Sequence, residues 1–239
     1  MKRRLTAILT LVMAASVLLP TFASADLNTY YLGKKDVSGN LDAGSAKISI
    51  PNVTLTCPKR DMFTKTTWVN INGGKEEFIE VGYTKGRFEN GAGTYDGLYT
   101  ATYDRKNGYR EYPIYGYNET IGTYHTFDII YQGDYYGKWD VKIDNKWVRS
   151  YWGKDGSGSH EVGFESTAPS KNFKLNATTD ARYFQYRKNQ KWYRWDTSAY
   201  QVEGKTAGYT KTPRTLKMDM TWLPGYAQKE DALKWTPIK

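Results

Sequence analysis

The chain has 239 residues, a formal net charge of +9, one cysteine, two histidines and 21 tyrosines among its aromatic residues. A disulfide-stabilised scaffold needs paired cysteines and a structural zinc site needs four Cys or His ligands, so the composition excludes both classes. The high aromatic content also excludes a disordered chain.

The first 25 residues have the three-part layout of a secretory signal peptide. Residues 2–4 are basic, residues 5–22 are apolar, and residues 23–25 are the small residues of a cleavage site. A membrane anchor is the alternative interpretation, which Pro20 and the small-residue end disfavour. We therefore expect cleavage after Ala25, secretion to the extracellular space and no membrane anchor after processing.

Charge is unevenly distributed in the mature sequence. Loss of the signal peptide leaves 31 basic and 25 acidic residues, a net charge of +6. Residues 26–170 have a net charge of −2, and residues 171–239 have a net charge of +8. The basic C-terminal part favours an anionic partner.

The mature sequence is typical of short β-strands separated by turn signals such as Asn90-Gly91 and Asn107-Gly108. Many short strands at close spacing predict an all-β, antiparallel sandwich or jelly roll. We expect one such domain over residues 46–239, with a basic C-terminal part, after a flexible leader over residues 26–45. One helical period stands out at residues 228–234. The predicted strands are 46–50, 66–71, 78–83, 98–103, 124–131, 138–143, 147–152, 161–165, 173–175, 183–186, 192–195 and 215–222.

The sequence gives little support for nucleophilic catalysis or for a bound cofactor. A serine triad needs a histidine base, and Ser157 and Ser159 beside His160 lie in a Gly/Ser turn instead of a strained nucleophile elbow. Cys57 precedes Pro58 with no activating neighbour, so we interpret it as a buried apolar residue or a free thiol. No phosphate-binding loop, dinucleotide fingerprint or metal motif is present, so we expect no cofactor and no metal.

Carboxylates on strands are the remaining candidates for chemistry. Two facing acidic groups can divide acid–base catalysis between them, because their like charges push the two pKa values apart. Glu80 and Glu165 lie on predicted strands. Gly82 and Gly163 stand two residues away, where a missing side chain clears space for a ligand or another strand. From spacing alone, solvated carboxylates on an exposed sheet are the simpler interpretation.

Four short segments carry a family resemblance. Residues 67–74 (TWVNINGG) contain a tryptophan strand, and residues 78–82 (FIEVG) contain Glu80. Residues 94–99 (TYDGLY) and 160–165 (HEVGFE) follow in order. Together they resemble, in the same order, motifs of the secreted glutamic peptidases, the eqolisins and the related neprosin group.

This resemblance implies a concanavalin A-type β-sandwich with a catalytic pair, Glu80 and Glu165. It also implies a substrate-binding groove lined by Trp68, Tyr99 and Glu161. One glutamate would activate water while the other donates a proton or stabilises the oxyanion. Because such a pair needs one protonated member, the resemblance implies an endopeptidase that cleaves polypeptides at about pH 3–5.

The sequence also departs from the family pattern. A Trp-Tyr-Glu-Trp segment of the family becomes Leu98-Tyr99-Thr100-Ala101, which removes an aromatic wall and an acidic group from the groove. Neprosin-like enzymes take their second glutamate from a later strand, which makes Glu165 the less certain member of the pair.

A non-catalytic secreted protein that binds glycan or cell wall is the alternative on the same fold, because the fold does not decide the function. Residues 182–195 concentrate aromatic and basic side chains, which stack on sugars and attract anionic polymers, although packing and solvation alone also explain such a hairpin. We expect an envelope polysaccharide instead of nucleic acid as the partner, and a monomer. A glycosidase with paired carboxylates is a third alternative. The residues predicted to bind an anionic polymer are Arg182, Tyr183, Arg187, Lys191, Trp192 and Arg194.

Overall fold

A computed structural model describes much of the chain beyond its first 28 residues. The predicted signal peptide, residues 1–25, lies outside the described residues. The described residues are 29–35, 40–71, 77–88, 93–133, 135–152, 158–167, 172–195, 200–203, 209–211, 216–222 and 231–237.

Every regular element in these ranges is a strand. Among the same residues, no helix is long and apolar enough to cross a membrane. In chain order the strands are β1 (Thr29–Lys35), β2 (Ala43–Ser49), β3 (Val53–Leu55), β4 (Met62–Ile71), β5 (Glu77–Phe88), β6 (Gly93–Asp104), β7 (Gly108–Pro113), β8 (Tyr124–Tyr131), β9 (Trp139–Ile143), β10 (Lys146–Tyr151), β11 (His160–Ser166), β12 (Phe173–Leu175), β13 (Thr179–Lys188), β14 (Lys191–Arg194), β15 (Tyr200–Glu203), β16 (Tyr209–Lys211), β17 (Leu216–Trp222) and β18 (Asp231–Pro237).

Two eight-stranded sheets form the sandwich, and β3 pairs with β12 in a small third sheet. Sheet A has the strand order β15-β1-β11-β4-β5-β6-β7, with β16 beside β1. Sheet B has the order β10-β9-β8-β2-β13-β18-β17, with β14 beside β13. The pair β1–β16 is parallel, and the pairs that build the rest of both sheets are antiparallel. The prediction of an all-β, antiparallel sandwich is confirmed.

The predicted strands all overlap observed ones, but two predictions about the chain ends are corrected. Within the segment predicted as a flexible leader, residues 26–45, residues 30–35 of β1 pair with β11, and β2 already begins at Ala43. The helical period at residues 228–234 is wrong over its described part, because Asp231–Pro237 pairs with β13 and β17. In both segments, pairing with neighbouring strands outweighs a weak local signal.

Alternate residues of the strands fill the space between the two sheets. Val81 and Phe164 of sheet A, and Phe127 and Trp139 of sheet B, are fully buried in this core. Burial of each such side chain contributes about 1.5–3 kcal/mol. Because successive side chains of a strand point to opposite faces, Glu80 lies on the other side of sheet A, which we call its outer face.

Candidate active site

A row of side chains crosses the outer face of sheet A at the level of Glu80. Glu161, Trp68, Glu80, Ala101 and Glu111 stand directly opposite one another on β11, β4, β5, β6 and β7. Directly paired residues of neighbouring strands point to the same face of a sheet. The register therefore places three glutamates and a tryptophan side by side.

Glu165 belongs to the same face, because it lies four residues from Glu161 on β11. Burial, together with the negative charges of Glu165 and Glu111, raises the pKa of Glu80 well above its ordinary value. The two predicted catalytic glutamates thus share one face of one sheet and interact electrostatically. The raised pKa favours the protonated form of the Glu80 carboxyl.

Sequence reasoning missed two polar members of this site, Glu111 and Tyr109. The Tyr109 hydroxyl donates a hydrogen bond to Oε1 of Glu111 at 2.9 Å. Burial and the charges of Glu80, Glu111 and Glu165 raise the pKa of Tyr109, which keeps its phenol protonated. The available signal was the Asn107-Gly108 turn: it starts a hairpin whose register sets Glu111 opposite Ala101.

The site is largely shielded from solvent. Exposed fractions are 6% for Glu80, 2% for Glu161, 8% for Trp68 and 0% for Tyr99, whereas Glu165 is half-buried. Glu165 is therefore the more exposed of the two predicted catalytic glutamates.

Tyr99 sits in a small apolar cluster on this face of sheet A. Its ring packs with Phe88 and Ala101, and Tyr95 and Tyr109 border the cluster. The Tyr99 hydroxyl is buried and has no hydrogen-bond partner among the described residues. Tyr99 thus contributes apolar packing beside the carboxylates, and its predicted contact with a substrate stays a prediction.

Glu161 is held in place from the neighbouring strand. The amide nitrogen of Asn70 donates to Oε1 of Glu161 at 2.9 Å and to Oγ of Ser159 at 2.8 Å. This pair of bonds aligns the Glu161 carboxylate along the sheet. Its predicted role in substrate binding stays a prediction.

The space beside Gly82 is filled by a neighbouring strand. A Cβ atom on Gly82 would lie 2.3 Å from the backbone oxygen of Lys65 and 2.7 Å from Cα of Thr66. Of the two uses expected for this glycine, the structure therefore shows the close approach of another strand. The site has no open space at residue 82.

The side chains of classical nucleophile chemistry lie elsewhere. His160 faces the core and bonds to Thr67 and Trp195, and His125 bonds to Asp144 and to the backbone oxygen of Asn118. Cys57 is a half-buried free thiol. Among the described residues, no three His, Cys, Asp or Glu side chains are grouped to hold a metal ion.

The basic and aromatic residues of β13 and β14 lie on a different surface, the side of sheet B that faces away from sheet A. Arg187 stands opposite Trp192, and alternation puts Arg194 on the same side. Arg182 joins them because the pairing of β13 with β2 shifts register between Arg182 and Gln185. Lys191 is on the opposite side of the hairpin. The structure thus brings together most of the predicted polymer-binding residues, well apart from the carboxylates.

Two of these guanidinium groups are already paired within the chain. Arg187 Nε lies 2.5 Å from Oδ1 of Asp42, and Arg182 Nη2 lies 2.6 Å from Oδ2 of Asp180. These pairs reduce the positive charge that the two arginines offer to a polymer.

Comparison with solved structures finds the same architecture in glutamic peptidases. Two crystal structures of scytalido-glutamic peptidase, one with a peptide-based transition-state analogue and one with a transition-state analogue inhibitor, each match 88% of this chain and 98% of theirs, with TM-scores of 0.53 and identities of 9% and 10%. A prokaryotic β-1,3-1,4-glucanase (lichenase) derived from a mouse hindgut metagenome matches 88% of this chain and 79% of its own, with a TM-score of 0.35 and 8% identity. No family model and no curated protein sequence matches the chain. The chain has a glutamic peptidase-like, concanavalin A-type fold, as the sequence resemblance implied.

Proposed function

We propose that the protein is a secreted endopeptidase of the glutamic type that cleaves polypeptides at acid pH. The observation that carries this proposal is the placement of Glu80. Its buried carboxyl shares one face with Glu165, and burial and neighbouring charges raise its pKa. A carboxylic acid that keeps its proton beside a second carboxylate is the pair that acid–base hydrolysis requires.

The different accessibility of the two glutamates supports different roles for them. Glu165, half-buried, accepts a proton from the attacking water while the water oxygen bonds to the scissile carbonyl carbon. Glu80, protonated, donates a hydrogen bond to the oxyanion of the tetrahedral intermediate. When the C–N bond breaks, the departing amine takes the proton that Glu165 accepted from water, and both carboxyl groups return to their starting states.

In this proposal, the residues around Glu80 and Glu165 form the rest of the substrate-binding groove. Trp68 stands directly between Glu80 and Glu161 on the sheet and presents an aromatic surface to a peptide. Glu111 provides an acidic group one strand from Ala101, near the place where the family's acidic group is missing. These residues support a polypeptide substrate.

The test is cleavage of a reduced, unfolded protein by the purified chain, with fragments identified by mass spectrometry at pH 3–7. We expect cleavage that is greatest on the acid side and that is lost in Glu80→Gln and in Glu165→Gln. Glu77→Gln is the matched control, because Glu77 lies on the same strand with the opposite side-chain direction. Intact substrate after prolonged incubation across this range would exclude the peptidase, and equal activity of Glu80→Gln and Glu77→Gln would exclude the assigned pair.

A further inference from the structure

A cleft of about 250 Å³ opens at the ends of β2, β8 and β13, away from the carboxylate site. Ser49, Thr179 and Asp180 provide buried polar groups in its wall, and Ile50 and Ile121 provide an apolar side. Sites for drug-sized ligands hold roughly 300–1,000 Å³. This cleft therefore fits one small unit of a ligand.

The polar wall is a fixed network around Asp180. Arg182 donates to Oδ2 of Asp180 through Nε at 2.8 Å and Nη2 at 2.6 Å, and the Tyr124 hydroxyl donates to Oδ1. The Arg182 guanidinium also stacks over the Tyr124 ring, 4.8 Å from its centroid. A guanidinium held on two sides presents its remaining N–H groups in a defined direction.

A buried lysine amine lies behind the same wall. Lys65 reaches from sheet A across the core, and its Nζ donates to the backbone oxygen of Ser49 at 2.9 Å, to Oγ1 of Thr179 at 2.5 Å and to the backbone oxygen of Asp180 at 2.7 Å. Burial lowers the pKa of Lys65 well below its ordinary value, and the negative charge of Asp180 offsets only part of this shift. The amine thus holds the polar wall in place from behind.

Lys47 and the re-aimed ring of Tyr183 lie next to Tyr124, which lines the cleft. Lys47 Nζ lies 5.8 Å from the ring centroids of both Tyr124 and Tyr183. Tyr183 has a φ of 55° at the point where the pairing of β13 with β2 shifts register. A bulge of this kind turns a side chain out of the regular alternation, and it brings the Tyr183 ring, 36% exposed, beside Lys47.

We propose that this cleft binds an anionic sugar unit of an acidic polysaccharide, with the acid group at Lys47 and Arg182. Lys47 and Arg182 carry two positive charges against the one carboxylate of Asp180. Asn52 and Thr178 add polar side chains to the lining of the cleft, which suits a ligand rich in hydroxyl groups. The site is separate from the proposed catalytic pair and does not depend on it.

The surrounding surface favours a polymer over a free anion. Beyond the cleft, the same face continues along β13 and β14 with Arg187, Trp192 and Arg194. Arg182 and Arg187 pair with Lys47 and Ala43, which are four residues apart on β2, so the path between them is about 13 Å at about 3.3 Å per residue, longer than a single sugar ring. Trp192 is 42% exposed, so an aromatic platform lies farther along the path.

An acidic polypeptide is the competing ligand, and the proposal disfavours it for two reasons. The cleft is short and closed in by Ile50 and Ile121, whereas a peptide strand needs an open sheet edge or a long groove. Its polar side chains, which include Asn52 and Thr178, suit a hydroxylated ring. The choice is decided by direct comparison of the two ligands.

The experiment measures binding to the full chain by calorimetry at about 0.15 M ionic strength. The probes are a tetragalacturonate, a sulfated galactose tetrasaccharide, neutral maltotetraose and polyglutamate. We expect at least one acidic tetrasaccharide to bind about tenfold or more tightly than maltotetraose, because its acid group adds charge-assisted hydrogen bonds. Equal affinity for maltotetraose, binding of neither acidic sugar, or a polyglutamate affinity equal to that of the acidic sugars would overturn the proposal.

Two variants and a matched control locate the site. Lys47→Met keeps the aliphatic stem, and Tyr183→Gly removes the ring at a φ that glycine adopts readily. Each should weaken acidic-sugar binding about tenfold, whereas Lys191→Met, which loses the same charge on the opposite side of the hairpin, should change it less than about twofold. Thermal unfolding confirms that each variant is folded. Equal weakening by Lys47→Met and Lys191→Met would show that general surface charge, and not this cleft, binds the sugar.

Discussion

Trp195 donates its indole N–H to Nδ1 of His160 at 3.0 Å. An indole nitrogen is only a donor, so Nδ1 carries no proton and the imidazole proton lies on Nε2. Nε2 in turn faces Oγ1 of Thr67 at 2.6 Å. His160 is thus fixed as the neutral Nε2–H tautomer between the two sheets, and burial lowers its pKa to about 3.

This neutral histidine predicts a loss of stability in acid. Between the pKa of about 3 in the folded protein and the ordinary value of 6.5, the unfolded chain binds a proton that the folded chain does not. The free energy of unfolding should therefore fall by about 1.4 kcal/mol per pH unit as the pH drops below 6.5. Urea unfolding of the wild type and of His160→Gln at pH 4–8 measures this, and the variant should lack that slope.

Thr67→Val is the matched control for this slope. It removes the hydrogen bond to Nε2 but leaves the titrating ring in its buried place. The control should therefore lose stability at all pH values while keeping the acid slope. If His160→Gln kept the full slope, another group would be responsible for the acid sensitivity.

Glu80 predicts a pH dependence of opposite sign. Its pKa is raised in the folded protein, so its contribution to stability is complete below the ordinary value near 4.5 and is lost as the pH rises toward the folded value. Relative to the wild type, Glu80→Gln should become more stable by about 1.4 kcal/mol per pH unit above pH 4.5. Glu77→Gln, measured alongside, should show no such gain. A constant difference between the wild type and Glu80→Gln across pH 4–8 would contradict the raised pKa.

The candidate pair is predicted from the resemblance to glutamic peptidases, because alternation alone leaves solvated carboxylates on an exposed sheet as the simpler interpretation. The run around Glu80 alternates so regularly that its strand, and the face of that strand, follow from period two alone. That Glu165 shares this face depends on the register of β11 with β4 and β5, which residues distant in the chain decide. Residue patterns therefore identify the carboxylates, but only pairing brings them together.

Other parts of the molecule escape sequence reasoning for physical reasons. Thr29–Lys35 has no clear alternation, so its place beside β11 depends on tertiary pairing. A lysine in a strand normally predicts an exposed position, yet Lys65 is fully buried because oxygen acceptors from sheet B surround its amine. The turned-out ring of Tyr183 results from a shift of register that has no residue signature.

Glu111 is predicted to tune the acid–base behaviour of Glu80 through its negative charge. Its negative charge, one strand beyond Ala101, helps to raise the pKa of Glu80. Glu111→Gln should lower that pKa. The stability difference made by Glu80→Gln should therefore be measured in the Glu111→Gln background, where the pH range over which it grows should be narrower. If the protein cleaves peptides, the alkaline limb of its pH–activity profile should move to lower pH in Glu111→Gln. Tyr109→Phe keeps the Glu111 charge, so its alkaline limb should lie at higher pH than that of Glu111→Gln. An unchanged limb in Glu111→Gln would contradict the coupling.

Gly82 is predicted to serve strand packing instead of ligand space. Because a Cβ atom there would meet the backbone of Lys65 and Thr66 at 2.3 and 2.7 Å, neither of which is a movable side-chain end, Gly82→Ala must push β4 and β5 apart. Overpacking of this kind costs about 1–3 kcal/mol, to be measured as a lower midpoint of urea unfolding. Gly93→Ala provides the comparison, since nothing lies within 4 Å of its added Cβ and only its φ of 88° opposes the change. Displacement of β5 would also move Glu80, which lies two residues from the clash, so any peptidase activity should fall in Gly82→Ala and stay near the wild-type value in Gly93→Ala. Wild-type stability in Gly82→Ala would show that the two strands can separate without cost and that the glycine has another role.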